Sequence, residues 1–148
     1  MLAGDVHETI AERLRAVGQR YTSGRRDLVD VLGAATGPLT IAAILNLRSD
    51  LAQSSVYRNL ATLEDAGVVR KVPGAADTHY ELAEDLDEHH HHLLCTSCGD
   101  VVDFVMPTTL ERALHRAVDA AAEQADFAAT GHRVELVGTC ATCRAATK

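Results

Sequence analysis

Apolar residues return at helical spacing from the start of the chain. Val6, Ile10, Leu14 and Val17 share one face of a helix over 5–18, which Gly18 ends. Ser23, whose hydroxyl suits the free N–H groups of a first turn, predicts the N-cap of a second helix reaching 35, with Leu28, Val31 and Leu32 inward. Gly37-Pro38 breaks the pattern. Thr40 then caps a short third helix carrying Ile41, Ile44, Leu45 and Leu47. A turn at Arg48-Ser49-Asp50 leads to a fourth helix over 53–66, with Val56, Leu60 and Leu63 on its buried side and Gly67 as its C′ residue. Beyond it the helical period stops. A Val-rich strand over 68–72, the turn 73–77 and a return strand over 78–82 form a hairpin. Helices two to four followed by this hairpin make a winged helix-turn-helix, with the first helix as an extension.

The second half reads as strand 91–94, a tight Cys turn, strand 101–105, helix 108–124, strand 133–137 and a second Cys turn. Leu110, Leu114, Ala117, Val118 and Ala121 form the expected buried stripe of the helix. In the last strand Val134, Leu136 and Gly138 share one face, and Arg133, Glu135 and Val137 the other. The expected class is α+β: a winged helix-turn-helix over 1–83, then a small α/β domain over 84–148. A module of that size needs a staple.

The cysteines supply one. All four stand in two Cys-x-x-Cys pairs, Cys95/Cys98 and Cys140/Cys143. Each pair closes a turn that aims two sulfurs at one point, and together they make the closed four-sulfur shell of a structural Zn(II). Two disulfides satisfy the same count. However, Met1-Leu2-Ala3-Gly4-Asp5 leads straight into polar helix with no signal peptide, and no apolar run is long enough to span a membrane. The expected compartment is therefore the reducing cytoplasm, where metal is favoured over disulfide. The run His89-His90-His91-His92 beside the first pair adds imidazole donors. On a strand, His89 and His91 face one side and His90 and His92 the other, so one run can feed two sites.

Charge divides the chain. The net charge is −7, which taken alone argues against nucleic acid, yet residues 1–80 hold nine basic and nine acidic side chains. Residues 81–148 hold five basic against twelve acidic, together with all the Cys and most of the His, a balance that suits cation capture. The neutral half remains open to a phosphate backbone. On the fourth helix Ser54, Arg58 and Thr62 point away from the buried side, with Ser55 and Tyr57 near its start. Hydroxyls and helix-end N–H groups bind phosphate, Arg reads guanine or phosphate, and a Tyr ring meets a thymine methyl. Arg20, Tyr21, Arg25 and Arg26 add a basic cluster. An ordinary solvated helix face fits these residues equally well.

Several segments together resemble the ferric uptake regulator family: Ser55-Val56-Tyr57-Arg58-Asn59-Leu60 with Glu64-Asp65-Ala66-Gly67-Val68-Val69, the stretch from His89 through Cys98 to Phe104, Gly131-His132 before the closing strand, and Gly18-Gln19-Arg20-Tyr21-Thr22 with Arg25. The resemblance covers about residues 10–143. It implies a homodimeric, metal-responsive transcription factor, in most members a repressor, that binds AT-rich inverted repeats of double-stranded DNA when metal-loaded. The second domain then becomes the dimerisation domain. Cys95, Cys98, Cys140 and Cys143 match the structural zinc site. Glu81, His90, His92 and Asp103 match a regulatory site at the hinge, and His89, His91, Glu111 and His132 a second site in the dimerisation domain. Arg20, Tyr21, Arg25, Ser54, Ser55, Tyr57 and Arg58 are the implied DNA contacts. The hinge donors are N/O without thiolate, which suits regulatory Fe(II) or Zn(II).

The chain departs from the family in two places, one of them a loop between Glu81 and the His run that is longer than in several relatives. Many members carry a hinge-ligating His just before the third helix, where this chain has Gly37-Pro38-Leu39-Thr40. His79, on the same strand face as Glu81, is a substitute by alternation. His115 reads as a surface histidine on the flank of Glu111, and His7 as solvent-exposed. Two other classes compete. One is a zinc-ribbon interaction module without sensing. The other is a zinc-dependent deaminase-like enzyme, suggested by His79-Tyr80-Glu81 ahead of a Cys pair. The deaminase signature needs Pro where Leu94 stands and an open zinc position that a second Cys pair would fill. The expected protein is no enzyme and has neither a membrane nor a small organic substrate as partner.

Overall fold

The computed structural model describes residues 4–87 and 89–146. The chain runs α1 (Gly4–Ala16), α2 (Ser23–Gly33), β1 (Leu39–Thr40), α3 (Ile41–Leu47), α4 (Gln53–Asp65), β2 (Val69–Pro73) and β3 (Thr78–Leu82). A 3-10 turn (Glu84–Leu86) follows, then β4 (His91–Cys95), β5 (Val101–Phe104), α5 (Thr108–Gln124), β6 (Glu135–Gly138) and α6 (Ala141–Ala146). The helical and strand segments of the winged-helix pattern are all present. Thr40 caps α3 through its hydroxyl, which accepts from the Ala43 N–H at 3.1 Å. Gly67 ends α4 at φ +66°, while the Val68 N–H reaches the Leu63 carbonyl and the Gly67 N–H the Glu64 carbonyl. That paired closure needs a left-handed residue, which glycine adopts without strain.

Several local expectations are corrected. The N-cap of α2 is Thr22 rather than Ser23. Two residues before α3 form a third strand, β1, which pairs with β3 so that the wing sheet has the order β1-β3-β2. A strand of two residues leaves too little periodicity to detect. The last strand begins at Glu135, and the short helix α6 carries the second Cys turn. His7 is not solvent-exposed: its Nδ1 meets the Tyr21 hydroxyl at 2.8 Å and its Nε2 lies 3.3 Å from Asp30.

The apolar core belongs to the first region. Ile10, Leu14, Leu28, Val29, Ile44, Val56, Leu60, Leu63 and Leu82 are sealed from water and pack with Val68, Val69 and Tyr80. Leu86 of the 3-10 turn joins this cluster, and Asp85 beside it pairs with Arg13. The start of the second region is therefore anchored on the first.

The second sheet has the order β5-β4-β6, with β4 antiparallel to β5 and parallel to β6. Its register aligns Leu93 with Val102 and with Leu136, so these three form one row on an exposed face. The expected stripe of α5 is not buried: no residue of that helix is, and Leu110 is 55% exposed. The apolar period of α5 is present, but the described residues only half-bury Leu114 and Val118 and leave the rest of the stripe exposed. The two regions also touch at Gly37. A Cβ there would stand 2.8 Å from the Val101 carbonyl oxygen, and the Thr36 carbonyl accepts from the Asp103 N–H.

Candidate metal centres and nucleic-acid interface

Among the described residues, three groups of four side chains each bring their ligand atoms within 4.8 Å of one another. The first is Cys95, Cys98, Cys140 and Cys143, all free thiols. Parallel pairing of β4 with β6 sets Cys95 opposite Gly138, and the Thr96 N–H donates to the Gly138 carbonyl, so both Cys turns emerge at the same sheet end. Cys98 Sγ and Cys140 Sγ lie 3.9 Å apart. A Zn–S bond of about 2.3 Å gives a tetrahedron with an edge of roughly 3.8 Å, so the spacing fits. The backbone N–H groups of Cys140 and Cys98 donate to Cys95 and bring its thiol down to about 6, while Cys98 and Cys143 are pushed up, Cys143 chiefly by its contact with Cys140.

The second group stands between the wing and the second sheet. Glu81 arrives from β3, and His90, His92 and Asp103 from the β4–β5 hairpin. Glu81 Oε2 lies 3.3 Å from His90 Nε2 and 2.9 Å from His92 Nε2, while Asp103 Oδ1 lies 3.9 and 3.6 Å from the same two nitrogens. Burial raises Glu81, but the His92 contact and the Arg70 charge outweigh it and leave the carboxyl below its ordinary range. Burial lifts Asp103 above the ordinary range. Its Oδ1 is buried without a hydrogen-bond partner. An orphaned carboxylate oxygen aimed at two imidazoles and a second carboxylate fits a cation.

The third group uses the other face of the same strand run. Glu111, in the first turn of α5, reaches His91 Nε2 with Oε2 at 2.9 Å, and His89 Nε2 and His132 Nε2 with Oε1 at 3.1 and 3.0 Å. The His91 contact is the main cause that lowers Glu111. His132 Nε2 is buried, and its 3.0 Å approach to Glu111 lies outside hydrogen-bond geometry. His115 stands at the edge of this group, 3.5 Å from Glu111 and largely exposed. His79 joins neither group. It is buried in the wing against Gly74, its Nδ1 unpartnered. Thr40 lies opposite His79 in the β1–β3 ladder, and Gly37 is packed on β5.

Two side chains that pattern reasoning missed hold these groups from outside. Arg70 binds Glu81 and Glu84, and Glu84 in turn binds His89. Neither shows a motif: Glu84 reads as one acid among several in the 84–88 stretch.

On the opposite side of the first region, Ser54, Tyr57 and Arg58 are exposed on the first turns of α4, with Tyr57 53% accessible, and Ser55 is half-buried among them. Arg58 folds back onto the Ser54 carbonyl and the Ser55 hydroxyl, at 3.3 and 3.5 Å. Arg20 is exposed before α2. Arg25 is engaged within the protein, donating to Gln19 and, across to α4, to Thr62. Tyr21 is half-buried, bonds His7 and lies under the Arg26 guanidinium at 4.9 Å. Burial pushes its phenol up to about 12.

The sequence profile of the Ferric uptake regulator family matches residues 16–137. The peroxide-responsive repressor PerR of Staphylococcus aureus (strain USA300) is 30% identical over 146 residues, covering 95% of this chain and 92% of the relative. Among solved structures, the Helicobacter pylori ferric uptake regulator, described as having three functional metal-binding sites, superposes with a TM-score of 0.67 at 26% identity, covering 93% of each chain. The Vibrio cholerae regulator superposes at 0.69 with 24% identity, covering 87% of this chain and 98% of its own, a likeness of fold.

Proposed function

The chain belongs to the ferric uptake regulator family of metal-sensing, DNA-binding transcription regulators that act as dimers, and from that premise we propose a metal-dependent repressor of metal-homeostasis genes. It is a regulator, not an enzyme. The observation that carries the reading is the hinge group. Its four donors come from two regions, one from the wing and three from the second sheet. A bound Fe(II) or Zn(II) would supply the positive charge that draws those donors onto one centre. Glu81 then holds the wing against His90, His92 and Asp103, and the two DNA-binding regions of a dimer take a fixed spacing. A 100-fold change in DNA affinity requires only about 2.7 kcal/mol of coupling.

In this reading residues 1–83 bind DNA, through Ser54, Ser55, Tyr57 and Arg58 on α4 with Arg20, Tyr21 and Arg25 beside them. Residues 84–148 dimerise, burying the Leu93–Val102–Leu136 row and the apolar side of α5. Cys95, Cys98, Cys140 and Cys143 hold a structural Zn(II), and His89, His91, Glu111 and His132 a second regulatory ion. The target is an AT-rich inverted repeat that matches the two-fold symmetry of the protein. The site of action is the cytoplasm. No described helix is long and apolar enough to cross a membrane.

The test is fluorescence anisotropy of chelator-treated protein on the DNA upstream of its own gene, titrated with Zn(II) and, without oxygen, with Fe(II). Tight binding that appears with one metal names the effector. Binding that ignores metal leaves a zinc-stapled interaction protein and overturns the sensing role. A second reading, peroxide response, is favoured by the similarity to the Staphylococcus aureus repressor and by Asp103 in the hinge group, and weakened by Gly37-Pro38-Leu39-Thr40 standing where such sensors carry a histidine. Loss of DNA binding when peroxide is added to the Fe(II)-loaded complex, but not to the Zn(II)-loaded one, would establish it.

A further inference from the structure

The hinge group and the second group use opposite faces of one strand run, and no side chain belongs to both. They are nevertheless joined on their outer side. Arg70 of β2 donates through Nε to Glu81 Oε1, which leaves Glu81 Oε2 facing His90 and His92. Its Nη1 reaches Glu84 Oε2 at 3.4 Å. The other Glu84 oxygen contacts His89 Nδ1, and His89 Nε2 faces Glu111 in the second group. A carboxylate on Nδ1 holds the proton there and keeps the Nε2 lone pair free for a metal. The guanidinium on Oε1 likewise restricts Glu81 to one donor oxygen. Each group thus has one ligand whose orientation depends on the same Arg70–Glu84 pair.

We propose that Arg70 and Glu84 form a bridge between the two metal groups, so that filling either one raises the affinity of the other. The proposal rests on the reading of both groups as metal sites. The four residues of the bridge lie on the wing (Arg70, Glu81), the 3-10 turn (Glu84) and the segment leading into β4 (His89). Occupancy in the second region therefore reaches the wing through side chains as well as through the hinge itself. A metal that fixes Glu81 immobilises Arg70, which steadies Glu84 and sets the His89 ring before the second ion arrives. Arg70 and Glu84 are positioning residues: neither offers an atom to an ion.

The test is a set of Co(II) titrations of the full chain against a competing chelator, followed by ligand-field absorption. His92→Ala isolates the second group, and Glu111→Ala isolates the hinge. Outer partners of metal-binding histidines typically change affinity about 10–100-fold. The second group should therefore bind Co(II) roughly tenfold more weakly in His92→Ala than in the unaltered chain, and linkage requires the hinge to weaken by the same factor in Glu111→Ala. Both ratios should fall to about 1 when Arg70→Met or Glu84→Ala is already present. Glu84→Gln keeps the shape and an acceptor for His89 but loses the charge that holds Arg70, so it should act in the same way. Arg70→Lys should restore part of the coupling, which a merely structural role would not produce. Ratios that survive in Arg70→Met and Glu84→Gln, or equal 1 in the unaltered chain, overturn the bridge alone. Absence of Co(II) at both groups of the unaltered chain overturns the reading of those groups and the bridge with it.

Discussion

The two regions of this molecule are held together by different physics. In the first, side chains from α1, α2, α3, α4, the wing and the 3-10 turn bury one another around Leu28, Ile44, Leu60 and Leu63. In the second, beyond the 3-10 turn, only Cys95 and Val101 are buried hydrophobic residues among those described, while Leu93, Val102, Leu110, Leu136 and Val137 face water. What the second region buries instead is polar: His90 and His91 are both nearly sealed. Burial of apolar area drives the first region without help. The second gathers imidazoles, carboxylates and thiols into three groups of four, and presents an exposed apolar sheet face. The first region thus carries its own apolar core, and in the proposed reading the second depends on metal and on a partner copy, as a sensor requires.

Breaking the staple should expose this difference most strongly. Cys98→Ser removes one of four sulfurs, and structural zinc contributes on the order of 10 kcal/mol to small domains. Sedimentation should show a monomer with the second region unfolded, while hydrogen exchange in α2 and α4 stays slow. A folded dimer would mean that the second region stands without its four-sulfur centre.

The reverse test attacks the first region. Leu60→Ala leaves a cavity in a closed apolar core and should cost about 2–5 kcal/mol. The loss should appear as a lower melting temperature for α2 and α4, with Zn(II) affinity at the cysteines unchanged. A matching loss of Zn(II) affinity would show that the two regions fold as one unit.

A smaller effect falls on the link between them. Glu81→Ala removes the wing donor from the hinge group and should abolish metal-dependent DNA binding, roughly a 100-fold change, while the dimer persists in sedimentation. A variant that still responds fully to metal would remove Glu81 from the mechanism.

The smallest is a matter of pH. Burial holds the Tyr21 phenol in its neutral form and pushes it up to about 12. Because the folded value lies above the unfolded one, this contribution to stability is complete below about pH 10 and is lost as pH rises through 12. Ultraviolet titration should show one of the tyrosines ionising late, and Tyr21→Phe should remove that step.

Much of this was legible before any coordinates. The alternation of the His89–His92 run predicts two groups on opposite faces, and the described side chains do divide between Glu81 with Asp103 and Glu111 with His132. The Thr40 cap and the Gly67 stop were readable because each is a local hydrogen-bonding solution, complete within six residues. The α5 stripe was read correctly as a period and wrongly as burial, since periodicity records which side wants cover and not whether one chain supplies it. β1 was invisible because two residues carry no period. Arg70 and Glu84 were invisible because an outer partner needs only charge and reach, which many surface residues have.

By itself, then, the sequence determined the local elements and the chemistry of each donor: helix faces, caps, the Cys turns and the two faces of the histidine strand all follow from spacing along the chain. The tertiary structure alone decided which distant residues meet. It set Cys95 beside Cys140, brought Glu81 of the wing to His92, turned Glu111 of α5 onto His89 and joined the two histidine groups through Arg70 and Glu84. The reason is that spacing governs interactions completed within a turn or a strand. A contact between residues tens of positions apart depends on sheet register and on how one region docks against the other, and neither is written in any local pattern.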